Sequence, residues 1–317
     1  MFPKLLCTSL ILIACISLFV GIDNALEGSQ DFQWSPTLLF LQTINPYSYM
    51  LDGNNGGALI LSQSPNYAHA TYLLLSPLAL LNWYQAKILW VILNIIFASV
   101  TLFIFCQKAN LNYLPSIIVI ALFICSTPFR NSLGNGQLSL LILTLYSIFL
   151  LKNNISNNFL IGISYIKYSF MPGLAVLIFL KRGWINLGVS FVFCFLGWLL
   201  FSLVLKENIF FTLLQPIKVA GLYAGNGNAD LMTLLNLSLG QLEGLAHTTF
   251  YYIIPFGLCL VFPIYANKIS SDPFFLISMV AIGSLISLRH LTYDFVFLLP
   301  TLVYSMKNLS ISPAKAV

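Results

Sequence analysis

Charged residues are scarce in this sequence. Only 7% of the 317 residues are Asp, Glu, Lys or Arg, whereas 59% are apolar. A water-soluble domain of this length needs more polar surface than these residues can supply. The composition therefore excludes a soluble globular protein and predicts that most of the chain is surrounded by lipid. Because no basic patch is present, we expect no nucleic-acid partner.

Several other features are missing. All six cysteines lie within or at the ends of apolar runs, which argues against a disulfide framework or a metal cluster. Residues 134–136 and 225–227 are rich in glycine but lack the spacing and strand context of a nucleotide-binding loop. No internal repeat of the kind found in transporter halves is present. We therefore expect neither a bound metal nor a cofactor.

Long apolar runs dominate what remains. In hydrocarbon, a helix satisfies its backbone hydrogen bonds within its own segment, so these runs predict an all-α polytopic bundle. The predicted spans cover residues 5–21, 68–82, 88–106, 113–128, 138–151, 158–180, 184–205, 249–267, 272–288 and 291–306. The first run is interpreted as a retained helix because no cleavage site follows it. Lys167 and Pro172 are able to break the run 158–180 into two half-helices. We predict about ten spans in a single transmembrane domain over residues 1–317.

The charges predict an orientation for the bundle. With the N-terminus in the cytoplasm, the predicted cytoplasmic residues are Lys4, Lys87, Arg130, Lys181, Arg182, Lys268, Lys307 and Lys315, and the predicted external ones are Lys108, Lys152, Lys206, Lys218 and Arg289. Two long connections, 23–67 and 206–248, then share the external face and are the expected location of function. The same topology places Asn135 and Gln137 on the cytoplasmic side, away from the expected site, so either the helix count is off by one there or this motif is structural.

Short motifs follow one another in a recognisable order. They are Asp31-Phe32, Asn45-Pro46-Tyr47, Tyr67 and Tyr72 before a Leu- and Pro-rich stretch at 73–81, Asn135-Gly136-Gln137, Gly162 with Lys167, and Tyr293-Asp294. This order resembles that of the polyprenol-phosphate-mannose-dependent mannosyltransferases of glycosyltransferase family 87, which have the GT-C membrane fold. The resemblance spans residues 1–306.

The resemblance implies an inverting hexosyltransferase that moves a sugar, expected to be mannose, from a polyprenyl-phosphate donor to a glycolipid or glycan. Such an enzyme lies in the plasma (inner) membrane of the cell envelope, with its active site on the extracytoplasmic face. Single displacement from a phosphate requires neither a nucleotide nor an obligatory metal. Two alternatives stay open: a transporter or lipid flippase, and a structural or assembly protein of the membrane.

Asp31 is the expected catalytic residue. A carboxylate is the natural base for the acceptor hydroxyl as the glycosidic bond forms, and Asp31 lies just outside the first helix, at the level of a lipid headgroup. It also matches the family's catalytic aspartate. The alternative is a solvated loop aspartate, as we expect for Asp23 and Glu27.

Five other residues are expected to bind substrate. Arg289 and His290 lie at the external end of the last span, where they would donate to the donor phosphate, although Arg289 is equally suited to contact headgroups. Asp294 suits an orienting carboxylate for His290 or a counter-ion to Arg289. Lys167 within a span is expected to line a cavity and to contact the lipid phosphate. His69 would line the site or belong to an aromatic belt.

Overall fold

The computed structural model describes residues 2–53, 57–61, 63–222, 234, 238 and 253–311. Within these ranges the chain is helical and contains no strand. Three of the described helices are long and apolar enough to cross a membrane alone: Leu5–Glu27, Trp83–Lys108 and Trp184–Leu205. The predicted helical membrane protein is thereby confirmed. Asp230 and Glu243, two acidic residues of the second long connection, lie outside the described residues.

The helices follow in this order. The first seven are α1 (Phe2–Glu27), α2 (Trp34–Leu41), α3 (Pro46–Leu51), α4 (Ala70–Ala79), α5 (Trp83–Lys108), α6 (Tyr113–Cys125) and α7 (Thr127–Gly134). The next six are α8 (Ser139–Ser147), α9 (Ile155–Ile163), α10 (Met171–Arg182), α11 (Trp184–Leu205), α12 (Ile209–Leu213) and α13 (Gln215–Gly221). The last three are α14 (Ile254–Ile269), α15 (Pro273–Ser287) and α16 (Leu299–Ile311), with a 3₁₀ helix at Thr292–Leu298 before α16.

Local sequence signals fix many of these ends. The side chain of Asn82 caps α5 by accepting from the backbone N–H of Gln85 at 3.0 Å. Asp272 caps α15 in the same way, and its carboxylate also binds Lys307 Nζ at 2.5 Å. Gly183, with φ of 83°, makes the tight turn between α10 and α11, because a left-handed backbone costs glycine little.

The prediction of a span at 68–82 is wrong. The helix found there, α4, has 10 residues, so it rises only about 15 Å, half of the hydrocarbon thickness. Its two ends are held at the same side of the bundle as the loop after α1. Ala68 N–H donates to Ile166 O at 2.8 Å before the helix, and Trp34 Nε1 donates to Leu81 O at 3.1 Å after it.

The predicted break in 158–180 is confirmed, and the chain reverses there. Helix α9 ends in a 3₁₀ turn before Lys167, and α10 begins only at Met171, with Pro172 in its first turn. At the far end of α10, Arg182 Nη1 donates to Asn158 Oδ1 at 2.7 Å. Because Asn158 belongs to α9, the two segments run back along each other instead of forming one span.

Because α4 does not cross the bundle and α9 and α10 run antiparallel, the helices between these two segments run opposite to the predicted direction. The beginning of α5 packs against the loop after α1, since Phe32 stacks on Trp90 with ring centroids 5.0 Å apart. Lys87 therefore shares a side with Asp31 and Lys108 does not, opposite to the prediction. Arg182 Nη2 accordingly lies 3.4 Å from Leu151 O, which puts Lys152 at the end away from Asp31.

Because of the same inversion, Asn135 and Gln137 lie on the side of the bundle opposite to the predicted one. Helices α6 and α7 form one apolar segment bent by 55°, and α7 ends beside the C-terminal end of α1. Asp31 N–H donates to Asn135 O at 2.9 Å. The prediction that placed Asn135 and Gln137 on the side opposite to Asp31 is therefore wrong.

Glycines allow the helices to approach closely, as is typical of membrane bundles. A Cβ at Gly162 of α9 would lie 1.8 Å from Ser190 O of α11, and one at Gly197 would lie 2.3 Å from the Cβ of Ala70. The hydrophobic core is built largely from α5, α8, α10 and α15, with Phe170 and Phe297 stacked at 3.9 Å. This packing fixes the helix ends that carry the polar residues described next.

Candidate active site

The Asn135-Gly136-Gln137 segment supports the loop that carries Asp31. Ser29 N–H donates to Gly134 O at 3.1 Å, next to the bond between Asp31 and Asn135. Gly136 has φ of 65°, and a Cβ there would lie 2.9 Å from the Cβ of Phe32. Only glycine fits this position, so the motif sets the place of the Asp31 loop.

The carboxyl group of Asp31 is half-buried and interacts with Gln137 and Lys167. Gln137 Oε1 accepts from the hydroxyl of Tyr67 at 2.7 Å, which leaves the amide nitrogen to donate to Asp31. Burial raises the pKa of Asp31 to about 6, although the hydrogen bond from Gln137 and the charge of Lys167 oppose the shift. A carboxyl group with this pKa is able to exchange a proton near neutral pH.

Lys167 and Asp294 form a buried ion pair next to Asp31. Lys167 lies at the break between α9 and α10, and Asp294 lies in the 3₁₀ helix before α16. Ser139 Oγ donates to the same Asp294 oxygen at 2.8 Å. Lys167 Nζ also lies 5.1 Å from the ring centroid of Tyr293. Since Asp294 is only 2% exposed, its charge depends on these partners.

His290 completes the surroundings of Asp294. Its Nδ1 lies 2.9 Å from Asp294 Oδ2, and its Nε2 lies 3.1 Å from Ser284 Oγ. The predicted orientation of His290 against Asp294 is thus present in the structure. Both ring nitrogens are engaged and the residue is 1% exposed. This arrangement suits a residue that positions Asp294 better than one that contacts a phosphate directly.

The side chain of Arg289 contacts the end of α13 and not the Asp294 carboxylate. Its Nη1 lies 3.5 Å from Ala220 O at the end of α13. The alternative in which Asp294 is the counter-ion of Arg289 is wrong, because the Asp294 carboxylate is bound by Lys167, Ser139 and His290. Arg289 still acts electrostatically on Tyr293, whose ring also lies beside Lys167.

His69 lies apart from this group. Its Nε2 is 2.9 Å from Thr212 O, and its ring packs against Tyr47 and Phe201 with centroids 5.1 and 4.8 Å away. The expectation that His69 lines the site with Asp31 is therefore corrected: it packs the first loop against α11 and α12. Tyr67, two residues earlier, supplies the contact with the Asp31 network.

Three members of the network were not selected from the sequence: Tyr67, Gln137 and Ser139. The available signal was the Asn-Gly-Gln motif at the start of an apolar run, but the predicted topology placed it on the wrong side. Among the described residues, no three His, Cys, Asp or Glu side chains come together in a way that could hold a metal ion. The site therefore consists of one half-buried carboxyl group beside a buried ion pair.

Comparison with known proteins assigns the family. The model of glycosyltransferase family 87 matches residues 67–291, more than half of the chain. No curated protein and no solved structure matches the chain. The matched range includes Tyr67, Gln137, Lys167 and His290, whereas Asp31 and Asp294 are joined to it by the contacts above. The chain belongs to glycosyltransferase family 87 and is a membrane glycosyltransferase.

Proposed function

We propose that this glycosyltransferase moves a hexose, with mannose as the expected sugar, from a polyprenyl-phosphate donor to a glycolipid or glycan on the extracytoplasmic face. One observation carries the proposal. The half-buried carboxyl group of Asp31 has a pKa of about 6 and lies beside the buried pair of Lys167 and Asp294. A proton acceptor thus lies next to a fixed positive charge, as transfer from a phosphate requires.

Asp31 acts as the base in this reaction. It takes the proton of the acceptor hydroxyl while that oxygen forms a bond to the anomeric carbon. The bond between this carbon and the phosphate oxygen breaks, and the phosphate leaves with the electron pair. Because attack and departure occur on opposite faces of the sugar, the anomeric configuration inverts. At neutral pH most Asp31 is deprotonated and ready to act.

Lys167 and Arg289 are the groups that we assign to the donor phosphate. Lys167 lies beside the ring of Tyr293, and the charge of Arg289 also acts on that tyrosine. The side chain of Lys167 is 12% exposed and is held in place by Asp294. His290 in turn holds Asp294. In this arrangement His290 and Asp294 position the lysine, and only the two cations contact the phosphate.

The proposal is tested by the choice of donor. Purified protein in lipid bilayers is given a lipid extract as acceptor and labelled mannose, either on polyprenyl phosphate or on a nucleotide. We expect label in the lipid or glycan fraction from the polyprenyl donor alone. Arg289→Ala should raise the donor KM roughly ten- to a hundredfold, since a charge-assisted contact contributes about 1.5–3 kcal/mol, and leave the acceptor KM unchanged. Transfer from the nucleotide sugar only would refute the proposed donor.

A further inference from the structure

A polar cavity opens beside the loop that carries Asp31. It has a volume of about 400 Å³ and lies between the end of α1 and helix α7. Its polar lining comes from Asn24, Glu27, Gln30, Arg130, Asn131 and Asn135. The two helices meet closely at its wall, where a Cβ on Gly134 would lie 3.1 Å from the Cβ of Asn24. The volume falls within the usual range for small-ligand sites.

Most of the side chains that line this polar cavity are free of hydrogen bonds to the described residues, with Asn24, Glu27 and Gln30 exposed and Asn131 and Asn135 half-buried. The amides of Asn24, Gln30, Asn131 and Asn135 and the carboxylate of Glu27 form none with the residues that the structure describes. Such groups keep their donors and acceptors for water or for a ligand. Several free hydrogen-bonding groups therefore face one concave space.

Arg130 is the exception and has a fixed position. Its Nη1 donates to Cys125 O at 2.8 Å and to Ser17 Oγ at 3.2 Å, and Nη2 lies 3.4 Å from Thr127 Oγ1. All three partners are neutral, and no carboxylate pairs with Arg130 in the described part of the chain. Arg130 is half-buried and contributes to the lining of the cavity, and the single opposite charge in that lining is Glu27.

The chemistry of the lining selects a class of ligand. An anion would require mainly donors and a cation mainly acceptors, but the amides supply both. Arg130 and Glu27 also balance each other in charge. A sugar hydroxyl both donates and accepts, so a neutral polyhydroxylated ring matches this lining better than a charged group does.

The polar cavity is lined by residues next to the proposed base, although Asp31 itself is not part of the lining. Gln30 precedes Asp31 in the chain, and Asn135 O accepts the hydrogen bond of Asp31 N–H at 2.9 Å. Two wall residues are thus attached to the segment that holds the carboxyl group. We propose that this cavity binds the glycosyl headgroup of the acceptor and directs one of its hydroxyls to Asp31. The inference rests on the function proposed above and adds the place and the chemistry of the acceptor site.

Ligand binding tests the cavity without any turnover. The full chain in bilayers of deuterated lipid is titrated with a panel of methyl hexosides and the matching dodecyl hexosides, and saturation transfer to the sugar protons is recorded by NMR. We expect binding to the parent protein and a dissociation constant raised about tenfold in the double variant Gln30→Ala and Asn131→Ala, as expected for two lost neutral hydrogen bonds. Tighter binding of the dodecyl hexoside identifies a lipid-linked headgroup, and equal binding identifies a free glycan.

The matched control removes two exposed amides from the ends of α5, Gln85→Ala with Gln107→Ala, and should bind as the parent does. The inference is overturned if the parent protein transfers no saturation to the hexosides, or if the cavity variant binds them with the parent's dissociation constant.

A turnover assay separates the two proposals. If transfer proceeds but the cavity variant keeps the parent's acceptor KM, the cavity is not the acceptor site, and the proposed glycosyl transfer from a polyprenyl donor is unaffected. If hexosides bind as expected but no polyprenyl donor is used, the donor assignment fails and the cavity stands.

Discussion

Replacing Asp31 with asparagine removes the proposed base and changes little else. The side chain keeps its size and an oxygen that accepts from Gln137, and the backbone bond to Asn135 is untouched. Folding and membrane insertion should therefore survive. Loss of a general base lowers a rate about a hundred- to ten-thousandfold, which corresponds to about 3–5 kcal/mol of transition-state stabilisation.

The pH profile of the parent protein provides a second measure of the same residue. Because the base must be deprotonated and the pKa of Asp31 is raised to about 6 by burial, turnover should be full above that pH and fall as pH drops through it. The hydrogen bond from Gln137 favours the charged form of Asp31. Gln137→Ala should therefore move the inflection of kcat to higher pH.

The assay measures initial rates with the polyprenyl-phosphate donor for equal amounts of folded protein. Asp23→Asn is the matched control, since Asp23 is an exposed acid near the same end of α1, and it should retain the parent rate. Near-normal turnover of Asp31→Asn would refute the assignment of the base. A drop in protein yield together with an unchanged rate per folded molecule would show that Asp31 supports only the loop.

Other predictions test the fold. In a protein without its native cysteines, cysteine at Gln85 should react with an impermeant thiol reagent from the side of the first loop; labelling from the opposite side would contradict the direction of α5. Gly162→Ala should strongly lower the yield of folded protein, since its Cβ would lie 1.8 Å from a backbone oxygen of α11, whereas Gly188→Ala, which meets no atom within 4 Å, should be tolerated. Lys167→Met should destabilise the protein by up to about 3–5 kcal/mol, because the buried Asp294 carboxylate would lose its lysine and keep only His290 and Ser139 as partners, and adding Asp294→Asn should recover thermal stability. A double variant no more stable than the single one would refute that pairing.

Hydropathy located the apolar segments but did not reveal their direction. The run 68–82 is apolar because α4 packs inside the protein, not because it crosses the membrane. The run 158–180 is long enough for one span, yet it reverses at Lys167. Apolar length alone does not show which segments cross the bundle and which turn back, so the helices between these two runs were predicted in the wrong direction.

In the candidate site too, the sequence indicated individual residues but not how they are arranged. Asp31, Lys167 and Asp294 stood out from the sequence because charge near or within a membrane is costly and needs a reason. Their mutual arrangement did not follow from the sequence, since the loop after α1, the break after α9 and the segment before α16 are brought together only by the fold. Tyr67 and Gln137 are neutral, so placing them near the membrane carries no large free-energy cost that would mark them as functional. His69 was predicted to line the site, but it packs against Tyr47 and Phe201 instead.

The sequence by itself determined that the chain is a helical membrane protein, because so few charges cannot cover a soluble domain and apolar runs must satisfy their own backbone. It also determined where charge is concentrated along the chain. Only the tertiary structure decided that Asn135-Gly136-Gln137 holds the Asp31 loop, that Asp294 pairs with Lys167 and not with Arg289, and that a polar cavity lies beside Asp31. Each of these depends on contacts between distant segments, and such contacts are set by the direction and packing of whole helices.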